Sequence, residues 1–364
     1  MHTMPLAPFI ASALARVRAT PVRVDELPEG PARGALFGGA AGVGFFLYET
    51  ARRYDDRDLL KLASAWCALA SRWQATASPA DLGPTPLGIV LGASGIAHVR
   101  ALVSAGLGDR TDAMRAVEEL AGLAVRLEES GPGEVLGGAA GIALAARELI
   151  TRLPVDGYAH ARDLLTASRD GALRRLLEAH RTPLTSRLGT PLGFAHGAAG
   201  ELYTLVSFLG TEHAVVRARL VELAEMRELD EEGLVCWPFL VGSSLSSEHA
   251  ELLGSWCNGA AGHSLLWTEV AAQTKDPSWM TLARQAAMST SVLRNGNASV
   301  CCGDAGHAIA LARFGAVSGE ACWARYAYRR LRKATRSLDV EPGLPLLGLW
   351  QGALGVALTA MAHA

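Results

Sequence analysis

Apolar residues recur along this chain in two kinds of segment, and both kinds predict helices. Segments such as DDRDLLKLASAWCALASRW and RTDAMRAVEELAGLAVRLEE place apolar residues every three or four positions with charges between them, which is typical of amphipathic helices. Segments such as GIALAARELI and GELYTLVSFL are more uniformly apolar, which is typical of helices buried on most sides. Outside short pieces such as TPVRVDEL, the alternation of Val and Ile that indicates strands is missing. The pattern predicts an all-α protein.

A G-x-x-G turn precedes each uniformly apolar segment, and seven copies of this turn divide the chain. Their first glycines follow one another at intervals of 53, 46, 59, 62, 44 and 49 residues, which leaves room for two helices and two loops per copy. We therefore expect about 14 helices in seven hairpins. The copies are GAAGVG at Gly39, GASGIA at Gly92, GAAGIA at Gly138, GAAGEL at Gly197, GAAGHS at Gly259, GDAGHA at Gly303 and GALGVA at Gly352.

Helical hairpins repeated in this way build either an open solenoid or a closed ring. An open solenoid needs polar terminal repeats, whereas here the first and last copies are as apolar as the others. We therefore predict a closed α/α toroid that spans residues 1–364 as one domain, since no low-complexity linker divides the chain. The turn glycines would supply positive φ or a close backbone approach, and the inner helices would all begin on one positively polarised face.

Composition and charge limit the classes of partner and compartment. Half of the 364 residues are apolar, and 34 Lys and Arg nearly balance 36 Asp and Glu, so nothing favours a nucleic acid or an anionic membrane as partner. No secretory signal pattern and no apolar run of about 20 residues is present, which predicts a cytoplasmic protein without membrane insertion. Six scattered cysteines do not make a disulfide scaffold, and adjacent cysteines such as Cys301 and Cys302 pair poorly.

Reactive side chains collect at the two positions before the first glycine of each turn, here called −2 and −1. Equivalent positions of neighbouring hairpins should lie together in a toroid, so we predict that Cys257, Cys301 and Cys302 converge. Three thiolates suit zinc and leave one coordination position open. The alternative is that they are small buried residues of tight turns. Copies four to seven hold Ala195 and His196, Cys257 and Asn258, Cys301 and Cys302, then Trp350 and Gln351, whereas copies one to three hold only Phe37 and Gly38, Val90 and Leu91, then Leu136 and Gly137.

Three histidines lie close to these turns. His196 occupies position −1 of the fourth copy, and a neutral imidazole there is suited to general acid or base chemistry near neutral pH. His263 and His307 follow the second glycine of their copies, so we expect that they face the same cavity if they are functional. The alternative for each is a core histidine with satisfied hydrogen bonds.

The motifs FAHGAAG, SWCNGAAG, CCGDAG and WQGALG, in this order, resemble those of the lanthionine synthetase C-like family. The resemblance extends over essentially the whole chain. It implies an α/α toroid with one Zn²⁺ per chain, in which cysteine thiolates of a peptide add to dehydroalanine or dehydrobutyrine and form thioether rings. It also implies that Cys257, Cys301 and Cys302 are the metal ligands and that His196 is the acid/base residue.

The sequence departs from the family pattern at three places. Cys302 stands where most members have histidine, which implies a three-cysteine variant with a more reactive bound thiolate. Glu134 stands where the family has an aspartate in the third copy. Asn258 and Leu253 stand where a tyrosine and an arginine are common, so protonation of the enolate could require another donor, such as His263 or His307.

The expected partner is a precursor peptide that a separate dehydratase has already modified, since the chain leaves no segment for a dehydratase or kinase domain. Three alternatives remain open. One is the addition of glutathione to dehydroamino acids, and another is an inactive, zinc-stabilised scaffold that binds peptides. The third is a toroidal glycosidase, which we disfavour because three matched cysteines have no role in a two-carboxylate mechanism.

Overall fold

The structure is a computed structural model that describes residues 6–27, 33–78, 86–130, 132–245, 252–293, 297–340 and 345–363. Within these ranges the chain forms fourteen α-helices and one two-stranded antiparallel hairpin. None of the described helices is both long enough and apolar enough to cross a bilayer. The helices are α1 (Leu6–Ala19), α2 (Ala40–Tyr54), α3 (Arg57–Thr76), α4 (Ala93–Leu107), α5 (Arg110–Ser130), α6 (Ala139–Arg152), α7 (Ala159–Arg181), α8 (Ala198–Leu209), α9 (Ala214–Glu225), α10 (Ala260–Thr274), α11 (Pro277–Val292), α12 (Asp304–Ser318), α13 (Ala321–Val340) and α14 (Ala353–His363), and the strands are β1 (Glu228–Leu229) and β2 (Val235–Cys236).

The even-numbered helices form an inner ring, and the odd-numbered helices surround it. Each inner helix begins at the residue after the first glycine of a G-x-x-G turn and is buried on most sides, as its uniformly apolar sequence predicts. The outer helices bury one stripe, for example Leu59, Ala63, Trp66 and Ala70 of α3. Helix α1 packs on α14, so the outer helix of the seventh hairpin comes from the opposite end of the chain.

A continuous belt of backbone hydrogen bonds closes the ring. The residue at position −2 of each turn donates its N–H to the carbonyl oxygen at position −2 of the next turn, and the seventh donates back to the first. The predicted closed all-α toroid is therefore confirmed. The belt runs from Phe37 to Val90 (2.9 Å), Leu136 (3.0 Å), Ala195 (3.2 Å), Cys257 (2.8 Å), Cys301 (3.2 Å), Trp350 (3.0 Å) and back to Phe37 (2.8 Å).

The turn glycines are required by close approach and not by positive φ. A Cβ atom on the second glycine of any turn would collide with the carbonyl oxygen six residues earlier. On Gly262, for example, it would lie 2.3 Å from the carbonyl oxygen of Trp256. The first glycines have negative φ, for example −115° at Gly259, so of the two reasons predicted for glycine in these turns the close approach is confirmed and positive φ does not apply. The carbonyls of each tight turn accept hydrogen bonds from the first amides of the helix that follows, such as Leu253 from Ala260 at 2.7 Å.

Candidate metal centre

Three cysteine sulfurs converge on the end of the ring where the inner helices begin, here called the mouth. The Sγ atoms of Cys257, Cys301 and Cys302 all lie within 4.8 Å of one another. Those of Cys257 and Cys302 are 3.5 Å apart. Tetrahedral zinc with Zn–S bonds of about 2.3 Å separates its sulfurs by about 3.8 Å, so the spacing fits this ion. Within the described ranges this is the one group of three Cys, His or carboxylate ligands that could hold a metal.

The belt of backbone hydrogen bonds fixes the main chain of two of these cysteines independently of a metal. Cys257 donates to the carbonyl of Cys301 and accepts from Ala195, while Cys301 donates to Trp350. Cys302 follows directly, and its N–H donates to Ser299 Oγ at 3.3 Å. Cys257 and Cys301 are about 5% exposed or less, whereas Cys302 is partly exposed. The site therefore has two buried ligands on a rigid frame and one ligand that faces the mouth.

The three sulfurs share negative charge unequally. Hydrogen bonds from Cys301 and Cys302 lower the pKa of the Cys257 thiol to about 3. The same contact with the Cys257 thiolate raises the pKa of Cys302 to about 12, and it raises that of Cys301 as well. A bound dication would displace the two remaining protons.

His196 and Glu134 form a hydrogen-bonded pair beside the cysteines. Nδ1 of His196 lies 3.0 Å from Oε2 of Glu134. The imidazole is 43% exposed and the carboxylate 16%. The hydrogen bond to Glu134 raises the pKa of His196 despite partial burial, and the charge of Cys257 adds to the effect. Because Nδ1 faces the carboxylate, Nε2 is the nitrogen available to a substrate.

The structure does not bring His263 and His307 to the cysteines. His263 is fully buried and stacks on Trp237, with ring centres 4.2 Å apart, and burial lowers its pKa to about 3. His307 is equally buried, and burial, with Arg330 of α13 nearby, lowers its pKa to about 3. The expectation that both face the site cavity is therefore wrong. The angular position of the residue after the second glycine turns its side chain toward the outer layer, and His307 accordingly lies near Arg330 of α13.

Three polar side chains surround the sulfurs in contacts that the sequence pattern did not predict. The Asn258 amide donates to Cys257 Sγ at 3.6 Å, and Ser255 Oγ lies 3.4 Å from the same sulfur. Gln351 lies beside Cys302, and its side-chain amide offsets part of the rise in the pKa of that thiol. Asn258 and Gln351 both occupy position −1, the position that holds His196 and Cys302 in other copies, so the repeat contained a usable signal. Leu253, by contrast, is a buried apolar residue of the turn.

Comparisons with known proteins agree with this geometry. A family model described as lanthionine synthetase C-like protein matches residues 30–364. Among solved structures, nisin cyclase aligns with a TM-score of 0.67 over 98% of this chain and 93% of its own, at 16% sequence identity. At that identity the likeness to nisin cyclase shows a shared fold. The family model matches nearly the whole chain, and this protein therefore belongs to the lanthionine synthetase C-like family.

Proposed function

We propose that this protein is a zinc-dependent lanthipeptide cyclase. It would add cysteine thiolates of a peptide to dehydroalanine or dehydrobutyrine residues and so form lanthionine or methyllanthionine rings. The observation that carries the proposal is the convergence of three sulfurs at one mouth, with the His196–Glu134 pair beside them. Membership of the lanthionine synthetase C-like family and the fold shared with nisin cyclase support it.

The donor set suits a catalytic zinc. Cys257, Cys301 and Cys302 would hold one Zn²⁺ per chain and leave a fourth position for the substrate. When bound there, the ion lowers the pKa of a substrate thiol, so that a thiolate is available at neutral pH. The two buried ligands keep the set in place, and the partly exposed Cys302 lies on the side from which a peptide would approach.

His196 is the residue best placed to move the proton. The reaction forms a bond from sulfur to the β-carbon of the dehydroamino acid, and the electron pair of the carbon–carbon double bond moves toward the carbonyl. The α-carbon then takes a proton, so the proton lost by the thiol balances the one gained. Glu134 holds Nδ1 and raises the pKa of His196, which keeps imidazolium available near neutral pH for delivery from Nε2.

The proposed substrate also implies partners and a compartment. The peptide must carry dehydrated serine or threonine before it reaches this site, so we propose that a separate dehydratase acts first. All six cysteines are free thiols, and a reducing cytoplasm would keep the three at the mouth available to metal.

A thiol count tests the function, since ring formation leaves the peptide mass unchanged but removes a free thiol. The zinc-loaded protein is incubated with a dehydrated cysteine-containing peptide, which is then alkylated and analysed by mass spectrometry. We expect loss of alkylation with the native protein, strong slowing in His196→Ala, and normal rates in the control Cys322→Ala, which lies outside the mouth. Bound zinc with fully alkylated peptide would support the scaffold instead. Addition of glutathione alone would support the glutathione-dependent alternative.

A further inference from the structure

A metal site with three thiolates carries one more negative charge than a site with two thiolates and one neutral histidine. Zn²⁺ with three thiolates has a net charge of −1, and a thiolate from the substrate makes it −2. Cys257 and Cys301 are buried, so water cannot solvate their charge fully. Hydrogen-bond donors on the protein must offset part of this charge.

The backbone amides around the site are already used. The N–H groups of Cys257 and Cys301 donate within the belt. The first amides of α10 and α12 donate to carbonyls of their own turns, for example Ala260 to Leu253 at 2.7 Å and Asp304 to Asn297 at 3.1 Å. The helix N-termini still polarise the mouth, but these amides do not reach the sulfurs. Donors to the sulfurs must therefore come from side chains.

Asn258 supplies one such donor, and a neighbouring glycine leaves room for its amide. Its Nδ2 lies 3.6 Å from Cys257 Sγ. Its other end, Oδ1, lies over Gly193, where an added Cβ atom would fall 2.5 Å from that oxygen. The opposite orientation of the amide would set an oxygen against a thiolate, which repels it. Gly193 thus leaves the space that the amide occupies, and the charge of the thiolate favours the orientation with the N–H₂ group toward the sulfur.

Gln351 supplies a donor at the other end of the cysteine group. It occupies position −1 of the seventh copy, directly after Trp350, whose carbonyl oxygen accepts the N–H of Cys301 at 3.0 Å, and its exposed side chain lies beside Cys302. Asn258 occupies position −1 of the fifth copy, so two amides flank Cys301 and Cys302 in the order of the ring. The first three copies have only Gly38, Leu91 and Gly137 at this position, and none of these can donate from a side chain.

We propose that Asn258 and Gln351 are positioning residues for a three-thiolate metal centre, where their amide N–H groups hydrogen-bond to the metal-bound sulfurs of Cys257 and Cys302. These bonds orient the two ligands and offset the negative charge that a third thiolate adds. The inference rests on the zinc site of the proposed function, and it concerns metal binding, which is measured without peptide. A protein that binds zinc in this way but forms no thioether would contradict the proposed function and not this inference.

Metal titration of the full-length protein tests the inference. Zinc affinity is measured against a chelator, and Co²⁺ serves as a spectroscopic probe through its sulfur-to-metal charge-transfer band. We expect Asn258→Ala and Gln351→Ala each to weaken zinc binding by about 10- to 100-fold, the range for loss of a hydrogen-bond partner of a metal ligand. The charge-transfer band should move to lower energy, because a thiolate without its N–H donor is easier to oxidise.

Matched variants separate this role from a merely structural one. Asn258→Asp keeps the shape but presents an oxygen to the sulfur, so it should weaken zinc binding more than Asn258→Ala does. Leu91→Ala changes position −1 far from the thiols and should leave both readouts as in the native protein. Gln351 is exposed, so its replacement does not threaten folding. Zinc affinity within twofold of native in both alanine variants, with an unshifted band, would overturn the inference, as would native protein that binds no Co²⁺.

Discussion

Replacing Arg330 tests how firmly the turn that carries Cys302 is anchored. Asp304 begins α12 two residues after Cys302, and its carboxylate is 2% exposed. Arg330 of α13 lies 2.8 Å from one carboxylate oxygen, and Lys333 lies 2.8 Å from the other. Arg330 also joins α13 to the end of α11, since it donates to the carbonyl oxygens of Thr290 (3.2 Å), Ser291 (2.9 Å) and Leu293 (2.7 Å).

The expected magnitude follows from burial. The Arg330 side chain is only 12% exposed, so Arg330→Met would leave a buried carboxylate with Lys333 as its one cation, and Lys333 is 53% exposed. Loss of one partner of a buried ion pair costs about 3–5 kcal/mol when the remaining charge is uncompensated. Lys333 compensates Asp304 in part, but the variant also removes the donor to three backbone carbonyl oxygens at the end of α11. We expect a loss of unfolding free energy in this range. The double variant Asp304→Asn/Arg330→Met should recover part of it, because no buried charge remains unpaired.

Guanidinium denaturation followed by tryptophan fluorescence measures the effect. The matched control is Arg174→Met, which removes an ion pair in which Arg174 lies 3.0 Å from Glu128 and is 68% exposed. This replacement should lower the unfolding free energy by less than about 1 kcal/mol. A loss in Arg330→Met no larger than in this control would refute the reasoning, and so would additive effects in the double variant. Either result would mean that the pair does not anchor the turn.

Three further predictions concern the mouth, the turns and the buried histidines. Glu134→Gln removes the charge that raises the pKa of His196, so an NMR titration should find that pKa lower than in the native protein, and an unchanged value would contradict the assigned contact. Gly262→Ala sets a methyl group against a carbonyl of its own turn and should cost about 1–3 kcal/mol of unfolding free energy, whereas Gly122→Ala, with open space on an exposed helix, should gain about 0.5–1 kcal/mol. His263 stays neutral when folded, with its pKa lowered from 6.5 to about 3, and the unfolded chain takes up a proton as pH falls below 6.5. The unfolding free energy of His263→Phe should therefore fall less than that of the native protein when the pH is lowered from 6.5 to 3. Equal losses of unfolding free energy in the two proteins would contradict this assignment.

The fold was predictable because one short motif marks every inner helix. Seven G-x-x-G turns predict fourteen helices in hairpins, and apolar terminal copies predict closure, both of which the structure confirms. The pairing of α1 with α14 was not predictable, because it depends on contact between the two ends of the chain. The reason for glycine in the turns was also not predictable, since positive φ and close approach both favour this residue. Only the backbone geometry shows that close approach applies here.

The site was predictable to the extent that it follows the repeat. Position −2 and position −1 bring Cys257, Cys301 and Cys302 together across 44 or 45 residues of sequence. His263 and His307 also follow the repeat, yet they point to the outer layer, because the side-chain direction depends on helical phase relative to the packed neighbours. The contacts of Asn258 and Gln351 depend on side-chain conformation, which a repeat pattern does not specify.

X-ray absorption at the zinc edge tests the central claim most directly, because it counts the atoms bound to the metal. For the zinc-loaded protein we predict three sulfurs at about 2.3 Å and one lighter atom, and four sulfurs after a cysteine-containing dehydrated peptide is added. Native protein with two sulfurs and imidazole nitrogens around zinc would contradict the three-cysteine centre. A sulfur count that stays at three with the peptide bound would contradict the open position for a substrate thiolate.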